Sequence, residues 1–259
     1  MEHFQNPFES GALTSARTLE NRRFFDHVLS GVRTHRFFSH PFMAAFAQAS
    51  SRELASFVLT TFYQVVSPFT GLLCTLAGQA PSLESRFALM DNIYEEMGRG
   101  DLACAHPSLY LRMLSSIGVD AAAAERLPVL PAIGRINNHL REVAEHGHFS
   151  VACAVLASAE ATIPLSFPAL ARGAQNAFPD IDLSFFDRHG PRDEGHSGDA
   201  AALFALTSDR AQFPLVEREV TVDLDHRSEL FDDWAAYARA SLDRDARLLL
   251  TTPVRTHLT

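Results

Sequence analysis

The apolar residues of this chain recur at helical spacing over most of its length. Between residues 14 and 36 they fall on one helical face, at Leu19, Phe24, Phe25, Val28, Leu29 and Val32. Ser51 is a predicted N-cap, followed by Glu53 in the first turn, where the helix dipole favours a carboxylate. This helix should bend at Pro68 and continue to about Ala77.

Proline and glycine mark the limits of several later helices. One helix should stop near Gly98, and Pro107 and Pro131 occupy predicted first-turn positions of two more. Residues 149–171 are nearly all apolar or small, which predicts a central buried helix bent at its internal prolines. A final amphipathic helix should span residues 228–250.

Only residues 213–224 have strand character. Val216, Val220 and Val222 lie among charged residues there, so we expect an extended connection. No repeat, low-complexity tract or linker divides the sequence. The sequence therefore predicts an all-α protein, with about seven helices in one domain over residues 1–259 and an extended N-terminal arm at residues 1–13.

The composition and charge are those of a folded globular protein, and they exclude several functions. Hydrophobic residues make up 47% and charged residues 20% of the chain. The formal net charge is −9 with no basic stripe, so we expect no nucleic-acid partner. The chain contains no lysine, which excludes chemistry that depends on a lysine Schiff base, including pyridoxal-phosphate catalysis.

The cysteines and the termini indicate the compartment. Cys74, Cys104 and Cys153 are widely spaced and form no Cys-x-x-Cys pair, which fits reduced thiols better than a disulfide framework. The polar N-terminus lacks the pattern of a secretory signal, and no stretch approaches the roughly 20 apolar residues that span a bilayer. We expect a soluble cytoplasmic protein without a membrane partner.

Glu160 is an isolated carboxylate in the long apolar segment, with no other charged residue within several helical turns. A buried carboxylate is costly unless it is paired, protonated or bound to a metal. Glu160 could therefore face an internal arginine or a polar pocket, or it could be a metal ligand.

A second candidate feature is the pattern His189-x-x-x-Asp193-x-x-His196. On an ideal helix, Asp193 lies about 40° from His189 and His196 about 20° to the other side, so the three would share one stripe. Two imidazoles and a carboxylate suit iron or manganese. The alternative is a solvated polar face near a helix end.

A third feature joins Glu95 and Glu96, at a predicted helix end, to His106 at the start of the next helix, through a loop that contains Gly98 and Gly100. The two glutamates point about 100° apart, so only one can face the interior. Taken alone, Glu96 and His106 could also be solvated residues at helix ends.

Together these features form a carboxylate-rich set on separate helices, as in bundles that bind two irons. The candidate ligands are Glu96, His106, Glu160, His189, Asp193 and His196. The two Glu-x-x-His pairs of ferritin-like proteins are absent. A mononuclear site would need two histidines and one carboxylate, whereas six ligands divide into three per metal.

The order of these residues resembles the haem-oxygenase-like di-iron oxidases and oxygenases, which share a fold with haem oxygenase, TenA proteins and PqqC. The resemblance covers residues 92–198 and is carried by the Asn-x-x-x-Glu-x-Gly-x-Gly…His block, the isolated glutamate and His-x-x-x-Asp-x-x-His. It implies a haem-oxygenase-like bundle with two irons per chain and O₂ as co-substrate. Gly190 and Pro191 interrupt the last motif, which implies a kinked ligand helix and one weakly bound iron.

The resemblance also implies how the ligands divide between the irons. Glu96, His106 and either His189 or His196 would bind one iron. Glu160, Asp193 and the remaining histidine would bind or bridge the other.

The implied activity is oxidative cleavage, decarboxylation or desaturation of a small aliphatic carboxylate or amino acid in natural-product metabolism. Its electron donor is unknown, and a homodimer is possible. A substrate carboxylate could pair with a buried arginine such as Arg99 or Arg172. N-oxygenation of an amine or guanidine is an alternative. Some N-oxygenating members of the family that the chain resembles carry an extra glutamate on the earlier helix, and this chain has no carboxylate between Glu53 and Glu84, which disfavours that alternative.

Two further alternatives need no iron. A metal-free TenA-like hydrolase would use a cysteine nucleophile, Cys74 or Cys153. A non-enzymatic, partner-binding helical protein would make the buried Glu160 and the histidines structural. A second acidic cluster, Asp223-x-Asp225-His226, is interpreted as the start of a helix.

Overall fold

The computed structural model describes the backbone of residues 15–189 and 193–251 and the side chains of residues 15–189 and 198–242. Over these residues the chain forms twelve α-helices and no strand: α1 (Ala16–Val32), α2 (Pro41–Gln48), α3 (Arg52–Val66), α4 (Phe69–Gly78), α5 (Leu83–Glu96), α6 (His106–Ser116), α7 (Ala121–Arg126), α8 (Pro131–His146), α9 (Phe149–Ala177), α10 (Ser184–Arg188), α11 (Asp193–Thr207) and α12 (Phe213–Thr251). Seven of them have 14 or more residues. The predicted all-α bundle is confirmed. The predicted arm at residues 1–13 lies outside the described residues.

Local signals in the sequence explain where several helices begin and end. The Ser51 side chain accepts a hydrogen bond from the Leu54 backbone N–H at 3.1 Å, as predicted for the start of α3. The chain then breaks at Ser67 and Pro68, because proline cannot donate the next helical hydrogen bond, and it resumes as α4. Here the predicted bend is a full interruption.

The apolar segment predicted as a central helix forms the 29-residue α9. It packs against α1, α2, α3, α8, α10, α11 and α12, and it therefore lies at the centre of the bundle. The helix continues through Pro164 and Pro168, and the bend expected at these prolines stays a prediction. Pro164 lacks the N–H that would bond to the carbonyl of Glu160, one turn earlier.

The expectation of an extended segment at residues 213–224 is wrong. These residues open α12, with Pro214 in the first turn, where its missing N–H leaves no helical bond unmade. Val216, Val220 and Leu224 recur every four residues and are at most 1% exposed. They form a helical stripe against the core, and the predicted final helix therefore begins fifteen residues earlier than expected.

Two segments are long and apolar enough to cross a membrane by length and composition, contrary to the sequence estimate: Arg52–Gly78 and Phe149–Ala177. The first is divided between α3 and α4. In the second, 78% of the most apolar window is buried inside the bundle. A core helix of a soluble protein passes the same test, so the prediction that there is no membrane partner stays a prediction.

Candidate metal centre

Glu96 and His106 are brought together by the turn between α5 and α6. Glu96 ends α5, His106 begins α6, and both are about 5% exposed. His106 Nδ1 lies 2.8 Å from Glu96 Oε2. The neighbouring Glu95 instead forms a salt bridge with Arg99 in the turn, so Glu96 is the inward-facing glutamate of the pair.

Gly98 makes this turn possible. Its φ of +72° lies in the left-handed region, where a side chain is strained. A Cβ at Gly98 would lie 2.5 Å from the backbone N of Ala105 and from the carbonyl carbon of Cys104. The missing side chain therefore lets the chain pass close enough for His106 to reach Glu96.

We expect Gly98→Ala to lower the free energy of unfolding by about 1–3 kcal/mol, because it adds a backbone clash to an unfavourable φ. It should also weaken metal binding, since His106 would be displaced from Glu96. Gly118→Ala is the matched control, because Gly118 has a similar φ of +82° with nothing within 4 Å of its Cβ. Urea unfolding and iron titration of both variants measure the difference. Equal metal affinity in the two would contradict the role of Gly98.

His189 lies at the C-cap of α10 and is 8% exposed. Its Nδ1 lies 2.7 Å from the carbonyl oxygen of Phe185. A carbonyl can only accept, so Nδ1 carries the proton and Nε2 is the lone-pair nitrogen of the neutral ring. Such a bond to the second ring nitrogen is typical of metal-binding histidines, because it holds the tautomer and the ring orientation.

The predicted single stripe of His189, Asp193 and His196 is wrong. The α10 helix ends at Arg188, and α11 begins at Asp193, so the three residues do not share one continuous helix. Proline at position 191 cannot donate a helical hydrogen bond and disfavours helix before it, which explains the interruption. The side chains of Asp193 and His196 lie outside the described residues.

Glu96, His106 and His189 form what we call the ligand cluster. One donor atom from each lies within 4.8 Å of the others, and it is the one such group of metal-binding side chains among the described residues. His106 Nδ1 is buried, yet it has no hydrogen-bond partner of acceptable geometry among the described residues. His106 Nδ1 and Glu96 Oε2 are thus close together without forming a hydrogen bond of acceptable geometry. This is expected when the lone pairs of the two atoms point at a common third atom. Two histidines and a carboxylate suit non-haem iron, so the cluster fits this metal.

Glu160 faces the same interior space from α9 and is 2% exposed. It lines, together with the ligand cluster, a cavity of about 90 Å³, which we call the central cavity. This volume holds several water molecules or a small aliphatic ligand. The structure thus brings four of the six predicted ligands to one cavity, and their binding of metal stays a prediction.

The remaining wall of the central cavity is mostly apolar. Its aromatic side chains are Phe37, Phe62, Phe69, Phe167, Phe185 and Phe231. Phe62 on α3 and Phe69 on α4 lie on the helices where the sequence lacks a further carboxylate. The cavity therefore suits a ligand with a hydrocarbon body.

Sequence reasoning missed the arginine of this site. Arg227 on α12 lines the central cavity. Arg99 and Arg172, the suggested partners of a substrate carboxylate, are both exposed and do not line it. The helical spacing of Asp223 and Arg227 was the available signal. The expectation of an extended segment at residues 213–224 obscured this spacing. The interpretation of Asp223 as part of a helix start is also wrong, because Asp223 lies inside α12.

None of the described residues that line the central cavity is a cysteine. Cys153 on α9 is fully buried, and burial raises the pKa of its thiol far above the ordinary value. Cys74 is exposed on α4. A raised pKa suppresses the thiolate, which is the nucleophilic form, so this arrangement does not favour cysteine catalysis.

Comparison with known proteins places these observations in a family. The family model Haem_oxygenas_2, described as an iron-containing redox enzyme, matches residues 56–232, more than half of the chain. The matched range includes all six predicted ligands and Arg227. Among curated proteins there is no significant match.

Solved structures share the fold over nearly the whole chain. A TenA homologue from Pseudomonas syringae has a TM-score of 0.66 at 13% identity, covering 91% of this chain and 100% of that one. A CADD-like protein of unknown function from Nostoc punctiforme has a TM-score of 0.69 at 15% identity, with coverages of 86% and 97%. A domain of unknown function with a haem-oxygenase-like fold from Shewanella denitrificans has a TM-score of 0.64 at 14% identity, with coverages of 93% and 98%. These likenesses concern the fold alone.

Proposed function

Because the chain belongs to the family of iron-containing redox enzymes with a haem-oxygenase-like fold, we propose that it is a non-haem di-iron oxidase or oxygenase. Its substrate is a small, largely apolar molecule such as an aliphatic carboxylate or amino acid, which it oxidatively cleaves, decarboxylates or desaturates. The observation that carries the proposal is the buried ligand cluster in the wall of an apolar cavity. Bound iron would supply activation of O₂.

The geometry supports one division of the ligands between the irons. Glu96 and His106 lie beside His189, so these three are proposed to bind the first iron. The second iron would be held by Glu160 with Asp193 and His196. This assignment is supported by the packing of α11, which carries Asp193 and His196, against α9, which carries Glu160.

The lining of the central cavity supports the proposal of an apolar substrate and of a reaction from which water is excluded. Aromatic and aliphatic side chains surround the four described ligands, so a bound substrate would exclude water from them. The hydrogen bond between His189 and the Phe185 carbonyl holds the imidazole in place before metal binds.

Metal analysis and Mössbauer spectroscopy after anaerobic Fe(II) loading and exposure to O₂ test this function. We expect about two irons per chain, as in other carboxylate-bridged bundles, with a coupled di-ferric signal. Glu160→Ala and His196→Ala should each reduce the iron content and abolish the coupled signal, because each removes a ligand of the second iron. Octanoate and free amino acids then serve as first substrates in assays of O₂ consumption.

Two results would contradict the proposal. One is wild-type protein that binds no iron, and the other is iron content that is indifferent to both substitutions. His146→Ala is a suitable control, because His146 is exposed at the end of α8 and outside the cavity. It should leave the iron content unchanged.

A further inference from the structure

Arg227 is the one arginine among the described residues that line the central cavity, and the chain contains no lysine. Its side chain is 15% exposed. A guanidinium so nearly buried is costly unless its charge is balanced and its N–H groups are bonded. The partners of Arg227 therefore indicate what this part of the cavity is built to hold.

Asp223 balances the charge of Arg227 but bonds only its Nε. Arg227 Nε donates to Asp223 Oδ2 at 2.6 Å, four residues earlier on α12. Asp223 is fully buried, and this is the one ion pair that Arg227 forms within the described residues. Asp223 thus holds the guanidinium in position from the Nε side.

The other side of the guanidinium is available to a ligand. Neither terminal nitrogen of Arg227 forms a hydrogen bond within the described residues. A guanidinium presents its N–H groups as a planar fork that matches the two oxygens of a carboxylate. Arg227 shares the cavity wall with Leu230 and Phe231 on the same helix and with Ile136 and Leu140 on α8.

We propose that Arg227 binds the carboxylate of an aliphatic substrate in the central cavity, with Asp223 as its positioning residue. The inference rests on the proposed function, since it takes the central cavity as the substrate site, and it names the residue that selects an anionic head group. An uncharged or cationic analogue with the same hydrocarbon chain would leave the fork without its partner and would bind more weakly.

Binding of octanoate to the metal-free protein tests this inference without any turnover. Trp234 is the single tryptophan, and its ring centroid lies 6.0 Å from Phe62 and 5.7 Å from Phe231, both in the cavity wall. Its fluorescence should therefore report ligand entry. We expect octanoate to bind more tightly than 1-octanol or octylamine in the wild type. Arg227→Gln should weaken octanoate binding about tenfold to a hundredfold and leave 1-octanol binding unchanged.

Removing Arg227 alone leaves Asp223 buried without its cation, which could unfold the protein. The double variant Arg227→Gln/Asp223→Asn replaces both charges by neutral amides, so no buried charge is left unpaired, and it should fold and show the same loss of octanoate binding. Arg135→Gln is the matched control. Arg135 is half-exposed on α8 and pairs with Glu229 on α12, outside the cavity. It should bind octanoate like the wild type.

Octanoate binding that is equal in the wild type and the folded double variant would overturn the inference, as would equal binding of octanoate and 1-octanol by the wild type. Iron content, measured separately on the same proteins, distinguishes this result from failure of the proposed function. Wild-type protein that binds octanoate through Arg227 but no iron would refute the iron chemistry and leave the carboxylate site standing.

Discussion

Glu96→Gln is expected to lower the affinity of the first iron site by at least about a hundredfold, since loss of even an outer partner of a metal ligand costs 10- to 100-fold. The carboxylate is removed from a cluster whose donor atoms already lie within 4.8 Å of one another in the described structure. Glutamine keeps the shape of the side chain, so the metal-free protein should unfold within a few degrees of the wild type. Anaerobic Fe(II) titration and thermal unfolding of the metal-free protein measure the two effects.

Glu95→Gln is the matched control for this prediction. Glu95 is the preceding residue in the same helical turn, but its carboxylate pairs with Arg99 at the surface of the turn. A partly exposed ion pair contributes at most about 1 kcal/mol to stability, so this variant should keep its iron. Equal iron affinity of the two variants would show that Glu96 is not a ligand.

Trp234→Ala is expected to lower the free energy of unfolding by about 3–5 kcal/mol, because it leaves a large void in the core. Trp234 is completely buried on α12, where it packs against Phe42, Phe62 and Phe231. Its Nε1 also donates to Thr61 Oγ1 at 3.0 Å, which ties α12 to α3. Urea unfolding of the metal-free protein, followed by circular dichroism, measures the loss.

Two further variants separate the contributions at this position. Trp234→Phe fills most of the void but removes the donor to Thr61, so it should cost less than the alanine variant. Leu242→Ala on the same helix should change stability by no more than about 0.5 kcal/mol, because Leu242 is 70% exposed. A loss of similar size in Trp234→Ala and Leu242→Ala would contradict the role of Trp234 in the core.

Most helices were predictable because their signals are local. The Ser51 cap and the turn at Gly98 depend on hydrogen bonds and backbone angles within a few residues, so the sequence states them directly. The prediction for residues 213–224 was wrong because their conformation depends on tertiary packing and not on local signals. A β-branched run among charges is ambiguous in isolation, and packing of Val216 and Val220 against the core decides for helix.

For the predicted ligands, too, some features follow from local sequence and others depend on tertiary packing. The sequence singles out Glu96, His106, Glu160 and His189 by type and surroundings, because a charge in an apolar segment or at a glycine-rich turn requires an explanation. It could not decide whether His189 or His196 accompanies Glu96 and His106. The contact of α10 with α6 brings His189 beside His106, but the side chain of His196 lies outside the described residues, so the assignment stays a prediction.

The sequence by itself determined an all-helical chain and an ordered set of candidate ligands, since helical periodicity, capping and the cost of burying charge act over short distances. Only the tertiary structure decided that Arg227 shares a cavity with the ligand cluster while Arg99 and Arg172 lie at the surface. The physical reason is that the burial of a long cationic side chain depends on the position of its helix in the bundle. That position results from the packing of apolar faces from distant parts of the chain.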